Sequence, residues 1–153
     1  MSYTRSDLFL VTGASSGIGL ATALSLIAEG ARVIGVGRDK ARLIAAFGDQ
    51  AEGDSLIPEE KDLTEEPARA AQWLVELARR HGKLRGMVLC AGARQTIPLK
   101  AISFESSNKL FALNYFSPIQ LIKGFSNPLV SAEGDPSVVV VSSIAAQRPN
   151  KGL

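Results

Sequence analysis

Leu8-Phe9-Leu10-Val11 is an apolar run of strand length, closing on Thr12-Gly13. From Gly17 to Glu29 the apolar period changes: Leu20, Leu24 and Ile27 share one helical face, and Gly30 stands where a helix stop belongs. A second strand-like run spans Arg32 to Val36, after which Asp39 is placed to cap a short helix through Phe47. Ser55 to Lys61 is a weaker run broken by Pro58, expected as an edge strand because an edge tolerates a residue that cannot donate to the ladder.

Thr64 to His81 predicts a helix, with Ala70, Trp73, Leu74, Leu77 and Ala78 recurring at helical spacing. Glu65 and Glu66 would sit in its first turn and Arg79, Arg80 and His81 in its last, which suits the macrodipole, before Gly82 ends it. Met87 to Ala91 predicts a fourth strand. Ser106 to about Lys123 predicts a helix that Pro118 should kink or shorten. Val138 to Val141 predicts a fifth strand, apolar throughout as a strand covered on both faces must be. Strands alternating with helices imply a doubly wound parallel α/β sheet of about five strands, helices on both faces, in one domain over 1–153.

Composition narrows the chemistry. Hydrophobic residues at 46% and charged residues at 21% make an ordinary globular chain, long enough for a real core. A net charge of +2 is too small to point to nucleic acid or an anionic membrane. Cys90 is the only cysteine and His81 the only histidine, which excludes internal disulfides, Cys clusters and multi-His metal sites; Ser-His-Asp chemistry would have to use His81. No signal-peptide pattern and no run near the roughly 18 apolar residues of a membrane span is present, so a soluble, cytoplasmic protein is expected.

Thr12-Gly13-Ala14-Ser15-Ser16-Gly17-Ile18-Gly19 falls between a strand and a helix, the context in which spaced glycines signal a dinucleotide. Gly13 permits the turn off the strand, Gly17 lets backbone approach a pyrophosphate at a helix N-terminus, and Gly19 allows helix and strand to pack closely. This loop resembles the cofactor loop of the short-chain dehydrogenase/reductase family, and the rest of the chain is similar in order and spacing. The resemblance implies a Rossmann-type sheet binding a nicotinamide cofactor, with Gly13, Ser15, Ser16, Gly17, Ile18 and Gly19 around its phosphates.

Dinucleotide folds usually end the second strand in an acid that binds the ribose 2′-hydroxyl. Gly37 stands there, followed by Arg38, so NADP(H) is expected over NAD(H), with the guanidinium pairing with the 2′-phosphate. Asp62-Leu63 matches the family's adenine-contacting position, the alternative for Asp62 being a helix N-cap. Cys90-Ala91-Gly92 stands where the family has Asn-Ala-Gly; Cys90 is then a buried, inert thiol beside the ribose.

The family reduces carbonyls or oxidises alcohols with an Asn, Ser, Tyr and Lys together. Asn114 resembles that Asn, which holds a water in the proton path, and Ser143, after Ser142, resembles the serine that polarises the substrate oxygen. A helix-bending Asn and a turn serine are the plainer alternatives. Tyr-x-x-x-Lys is missing: four residues beyond Tyr3 is Asp7, and four beyond Tyr115 is Ile119. In the family the Tyr lies about a dozen residues past the serine, just beyond Leu153. The chain is therefore expected to be the cofactor-binding N-terminal part of a longer oxidoreductase, inactive by itself. A nucleotide-binding module or pseudoenzyme is the alternative, and an assembly role a third. The nearly all-apolar helix at Leu110 to Ile122 implies a homodimer or homotetramer, as the family pairs this helix between subunits. Pro149-x-Lys151-Gly152 is faintly similar to sepiapterin- and benzil-reductase-like members, too little to fix a small-molecule substrate.

Overall fold

The computed structural model describes residues 3–51 and 53–148. Its elements run β1 (Leu8–Thr12), α1 (Gly17–Ala28), β2 (Arg32–Gly37), α2 (Lys40–Phe47), β3 (Leu56–Glu60), α3 (Ala70–His81), β4 (Gly86–Leu89), α4 (Phe104–Phe111), α5 (Ser117–Phe125) and β5 (Ser137–Val140). The five strands form one parallel sheet in the order β3-β2-β1-β4-β5. From β1 the chain winds outward through β2 and β3, then returns to add β4 and β5 on the other side. The crevice beyond the carboxyl ends of β1 and β4 is therefore the topological switch point where such sheets bind ligands.

Side-chain alternation builds a core on each face. Leu8 and Leu10 of β1 and Ile34 and Val36 of β2 meet Leu74 and Leu77 of α3 and Leu121 and Phe125 of α5. Val11 and Val33 point the other way, against Ala23 of α1 and Leu43 and Phe47 of α2. The expected α/β architecture with helices on both faces is thus realised. No helix among the described residues is long and apolar enough to cross a membrane.

Four expectations change in detail. The helix expected from Thr64 begins only at Ala70, after a 3-10 turn over Pro67–Arg69. Proline disfavours helical backbone in the residue before it, and Glu66 turns left-handed (φ 46°), so neither Glu65 nor Glu66 serves the helix dipole. Pro118 does not end its helix: Ser103 caps α4, and a π turn over Ala112–Phe116 leads into α5, which carries Pro118 in its first turn. The wider π turn accommodates the lost N–H and the ring. β4 stops at Leu89, which leaves Cys90 and Ala91 in the loop beyond the sheet. Finally, β5 is not covered on both faces. It is the outer strand, Val139 and Val140 are 52% and 51% exposed, and of its valines only Val138 packs against the core. At the opposite margin β3 carries Pro58, as an edge strand can. The Pro149-x-Lys151-Gly152 segment lies outside the described residues.

Candidate functional site

The loop after β1 is held from three sides. Gly13 takes φ 67° to leave the strand, the Ala14 N–H donates to the Val36 carbonyl at 3.2 Å, and the buried Thr12 Oγ1 accepts from the Ala91 N–H at 3.0 Å. The last bond joins the loops after β1 and β4 across the switch point. Gly19 lies where a Cβ would come 2.4 Å from the Gly13 oxygen, so α1 begins against the loop that precedes it. Ser16 occupies the N-cap of α1 without a side-chain cap bond, and no acid stands in the first turn. The helix N-terminus is therefore open and positively polarised, an arrangement suited to a phosphate.

A cleft of about 360 Å³ runs from this loop to the end of β2. Gly13, Ser15, Ser16, Ile18 and Gly19 line one wall, Arg38 stands at one end, and Leu63, Cys90, Ala91 and Gly92 form the other wall. Gly17 (φ 55°) makes the turn between these contacts, with nothing within 4 Å of a Cβ built on it. Asp62 is the exception among the candidates. Its Oδ1 accepts from the Thr64 N–H and from Thr64 Oγ1, both at 2.8 Å, while its neighbours Lys61 and Leu63 face the cleft. Burial pushes the Asp62 carboxyl up, but the two bonds from Thr64, with Arg38 and Lys61 nearby, outweigh it and leave the group below its ordinary value. These bonds close a local turn, and because no helix starts at Thr64, Asp62 is not the helix N-cap that was its alternative.

Two cations went unnoticed in the sequence. Arg42 and Lys61 line the cleft beside Arg38. Arg42 reaches it from the first turn of α2, and Lys61 because its N–H bonds the Gly37 carbonyl at 2.8 Å, which continues the β2–β3 pairing. Only that strand pairing, not linear spacing, brings 38 and 61 together. A carboxylate also reaches this corner: Glu60 Oε2 accepts from the Lys40 N–H at 3.3 Å, and Asp39 Oδ1 from the Arg42 N–H at 2.9 Å. Two of the first N–H groups of α2 are thus already taken by acids, and the side-chain cations add the positive charge this corner offers an anion.

A second cleft, about 540 Å³, adjoins the first through Cys90, Ala91, Gly92 and Ala93 and brings Asn114, Ser142 and Ser143 together with Arg94. Ser143 Oγ accepts from the Ala145 N–H at 3.2 Å, and its own proton remains free to donate into the cleft. Asn114 grips the backbone of Ala93 at both ends: Oδ1 accepts from its N–H at 2.9 Å, and Nδ2 donates to its carbonyl at 2.7 Å. Its side chain is thereby tied to the loop after β4. Cys90 is half-buried, and burial pushes its thiol up, so it is protonated and a poor nucleophile near neutral pH.

Comparison with known proteins places this architecture. Residues 7–153 match the short chain dehydrogenase family model. The benzil reductase ((S)-benzoin forming) IRC24 of Saccharomyces cerevisiae is 32% identical over 154 residues, which cover 95% of this chain and 57% of that protein. A short-chain type dehydrogenase/reductase from Mycobacterium ulcerans superimposes with a TM-score of 0.82 at 31% identity, over 99% of this chain and 56% of the other. A metagenomic short-chain oxidoreductase in complex with NADP gives a TM-score of 0.81 at 27% identity, over 96% of this chain and 66% of the other. The chain thus spans little more than half the length of the first two. From sequence match, strand order and glycine loop together, it belongs to the short-chain dehydrogenase/reductase family of oxidoreductases.

Proposed function

We propose that these residues form the NADP(H)-binding part of an oxidoreductase that reduces a carbonyl or oxidises an alcohol. The observation that carries this is the cleft itself: an uncapped helix N-terminus at one end and Arg38, Arg42 and Lys61 at the other. Gly13 to Gly19 would hold the pyrophosphate, the three cations the 2′-phosphate, Leu63 the adenosine end, and Cys90-Ala91-Gly92 the ribose beyond. When bound, the nicotinamide supplies or accepts the hydride. Ser143 would polarise the substrate oxygen through a hydrogen bond from its hydroxyl. Asn114 holds the Ala93 loop with its side chain and would keep a water in the proton path. The NADP complex of the metagenomic relative supports the choice of cofactor.

The 153 residues contain no Tyr-x-x-x-Lys, so they do not themselves supply that acid/base pair. Calorimetric titration of this chain, its mass verified, should show NADPH binding more tightly than NADH, with no turnover of a broad carbonyl panel. Failure to bind NADPH would overturn the cofactor reading, and turnover by a chain verified to end at Leu153 would refute the catalytic one. A nucleotide-binding module without redox chemistry shares the binding result, and the same cleft favours it for this stretch alone.

The apolar residues of α4, the π turn and α5 support a homodimer or homotetramer. Phe104 is 84% exposed, and Phe111, Tyr115, Phe116, Ile119 and Ile122 are exposed along the same helical run. A face of this size is more than scattered surface hydrophobics. Light scattering should return at least twice the 16.2 kDa chain mass; a stable monomer at micromolar concentration would count against it.

A further inference from the structure

Thr12 and Ser117 are the two buried polar side chains among the described residues, and both are spent on loops that wall the cleft. Thr12 holds Ala91. Ser117, fully buried at 0% exposure, donates its hydroxyl to the Leu63 carbonyl across 54 positions of sequence. One helical turn before it, Asn114 clamps Ala93. A single stretch of helix therefore grips two walls of the cofactor cleft, at Leu63 and at Ala93.

The Leu63 side chain is buried in the core, but the backbone around it has few hydrogen bonds to the rest of the fold. Residues 61–65 lie in neither strand nor helix. Lys61 is tied to Gly37 on the sheet side, while the bonds of Asp62 with Thr64 and Glu65 are internal to the segment. Ser117 supplies its hydrogen bond to the helical layer. At a site closed to water, removal of that hydroxyl leaves the Leu63 carbonyl without a partner, and the segment must shift to find one.

We infer that Ser117 is a positioning residue for the adenosine end of the cofactor: it touches no cofactor atom and acts by holding Leu63 against the cleft. This rests on the NADP(H) reading above. The probe is 2′,5′-ADP, titrated calorimetrically into the chain and into Ser117→Ala and Ser117→Thr. Ser117→Ala should bind it roughly tenfold more weakly, the loss of one buried hydrogen bond. Ser117→Thr keeps the hydroxyl and should recover to within about threefold of the parent chain.

Amide hydrogen exchange of the unliganded proteins gives a second readout that does not depend on the threonine variant folding. In Ser117→Ala, exchange should quicken at residues 61–65 while β1, β2 and β4 keep their protection. Unchanged affinity in Ser117→Ala would overturn the inference and leave the NADP(H) reading intact. Weaker binding with exchange raised throughout the sheet would also overturn it, by showing a general structural role. Absence of 2′,5′-ADP binding to the parent chain would overturn the NADP(H) reading, and this inference with it.

Discussion

Gly19→Ala should abolish NADPH binding, with a loss of at least about a hundredfold in calorimetric affinity and a lowered thermal midpoint. A Cβ at this position would lie 2.4 Å from the Gly13 oxygen, 2.8 Å from the Gly13 carbonyl carbon and 3.1 Å from the Thr12 oxygen. All three are backbone atoms, so no side chain can rotate away. Either α1 moves off the sheet, which opens its packing on Ala23 and Leu24, or the loop swings out and the first N–H groups of α1 no longer face the cleft. Both routes misplace the same phosphate donors. Gly17→Ala is the comparison for stability: no protein atom lies within 4 Å of a Cβ there, so the fold bears only the cost of φ 55° in a residue with a side chain, about 1–2 kcal/mol. Its thermal midpoint should fall less than that of Gly19→Ala. Parent-like affinity in Gly19→Ala would mean that the helix and loop are not held together as the geometry requires.

Arg38→Ala should cost NADPH about ten- to a hundredfold in affinity while NADH changes by less than about threefold, the range for a hydrogen bond between charged partners. The asymmetry follows from what else is present. At the tip of α2, Glu60 and Asp39 already take the Lys40 and Arg42 N–H groups, which leaves less backbone to compensate for the lost guanidinium. Arg42 and Lys61 remain and should prevent complete loss. Glu60→Gln should act in the opposite direction and raise the NADPH-to-NADH preference, since it removes a negative charge from the same corner. Equal weakening of both cofactors in Arg38→Ala would sink the assignment. The difference should narrow as salt is added, because these side chains are partly solvated.

The central half of the fold was legible because local rules and tertiary packing agree there. Strand β1, the glycine loop, α1 and the capped start of α2 each carry their signal in adjacent residues. The departures differ in cause. Pro67 overrode the acidic residues expected to begin α3, and the 3-10 turn it imposes was readable from that proline alone. Pro118 is expected to kink or shorten its helix, and the π turn that takes it up leaves little trace in hydrophobic period. The valines of β5 show what the strand is suited to pack against, not what covers it. The candidate site was legible wherever it is a motif, at Gly13 to Gly19, Arg38, Asn114 and Ser143. It was hidden where it depends on strand pairing or on a long-range bond: Lys61 meets Arg38 only across β2 and β3, and nothing in the sequence near Ser117 mentions Leu63.

The two margins of the sheet differ in kind. At β3 a proline interrupts the donor row, and Glu59 and Glu60 follow it, so this margin resists further pairing. At β5 the strand is Ser137-Val138-Val139-Val140, with neither proline nor charge. Among the described residues, the β5 margin is therefore the one that carries no such barrier to further pairing. Any polypeptide that extends it, whether from the same molecule or from another, finds its free backbone partners beyond β5.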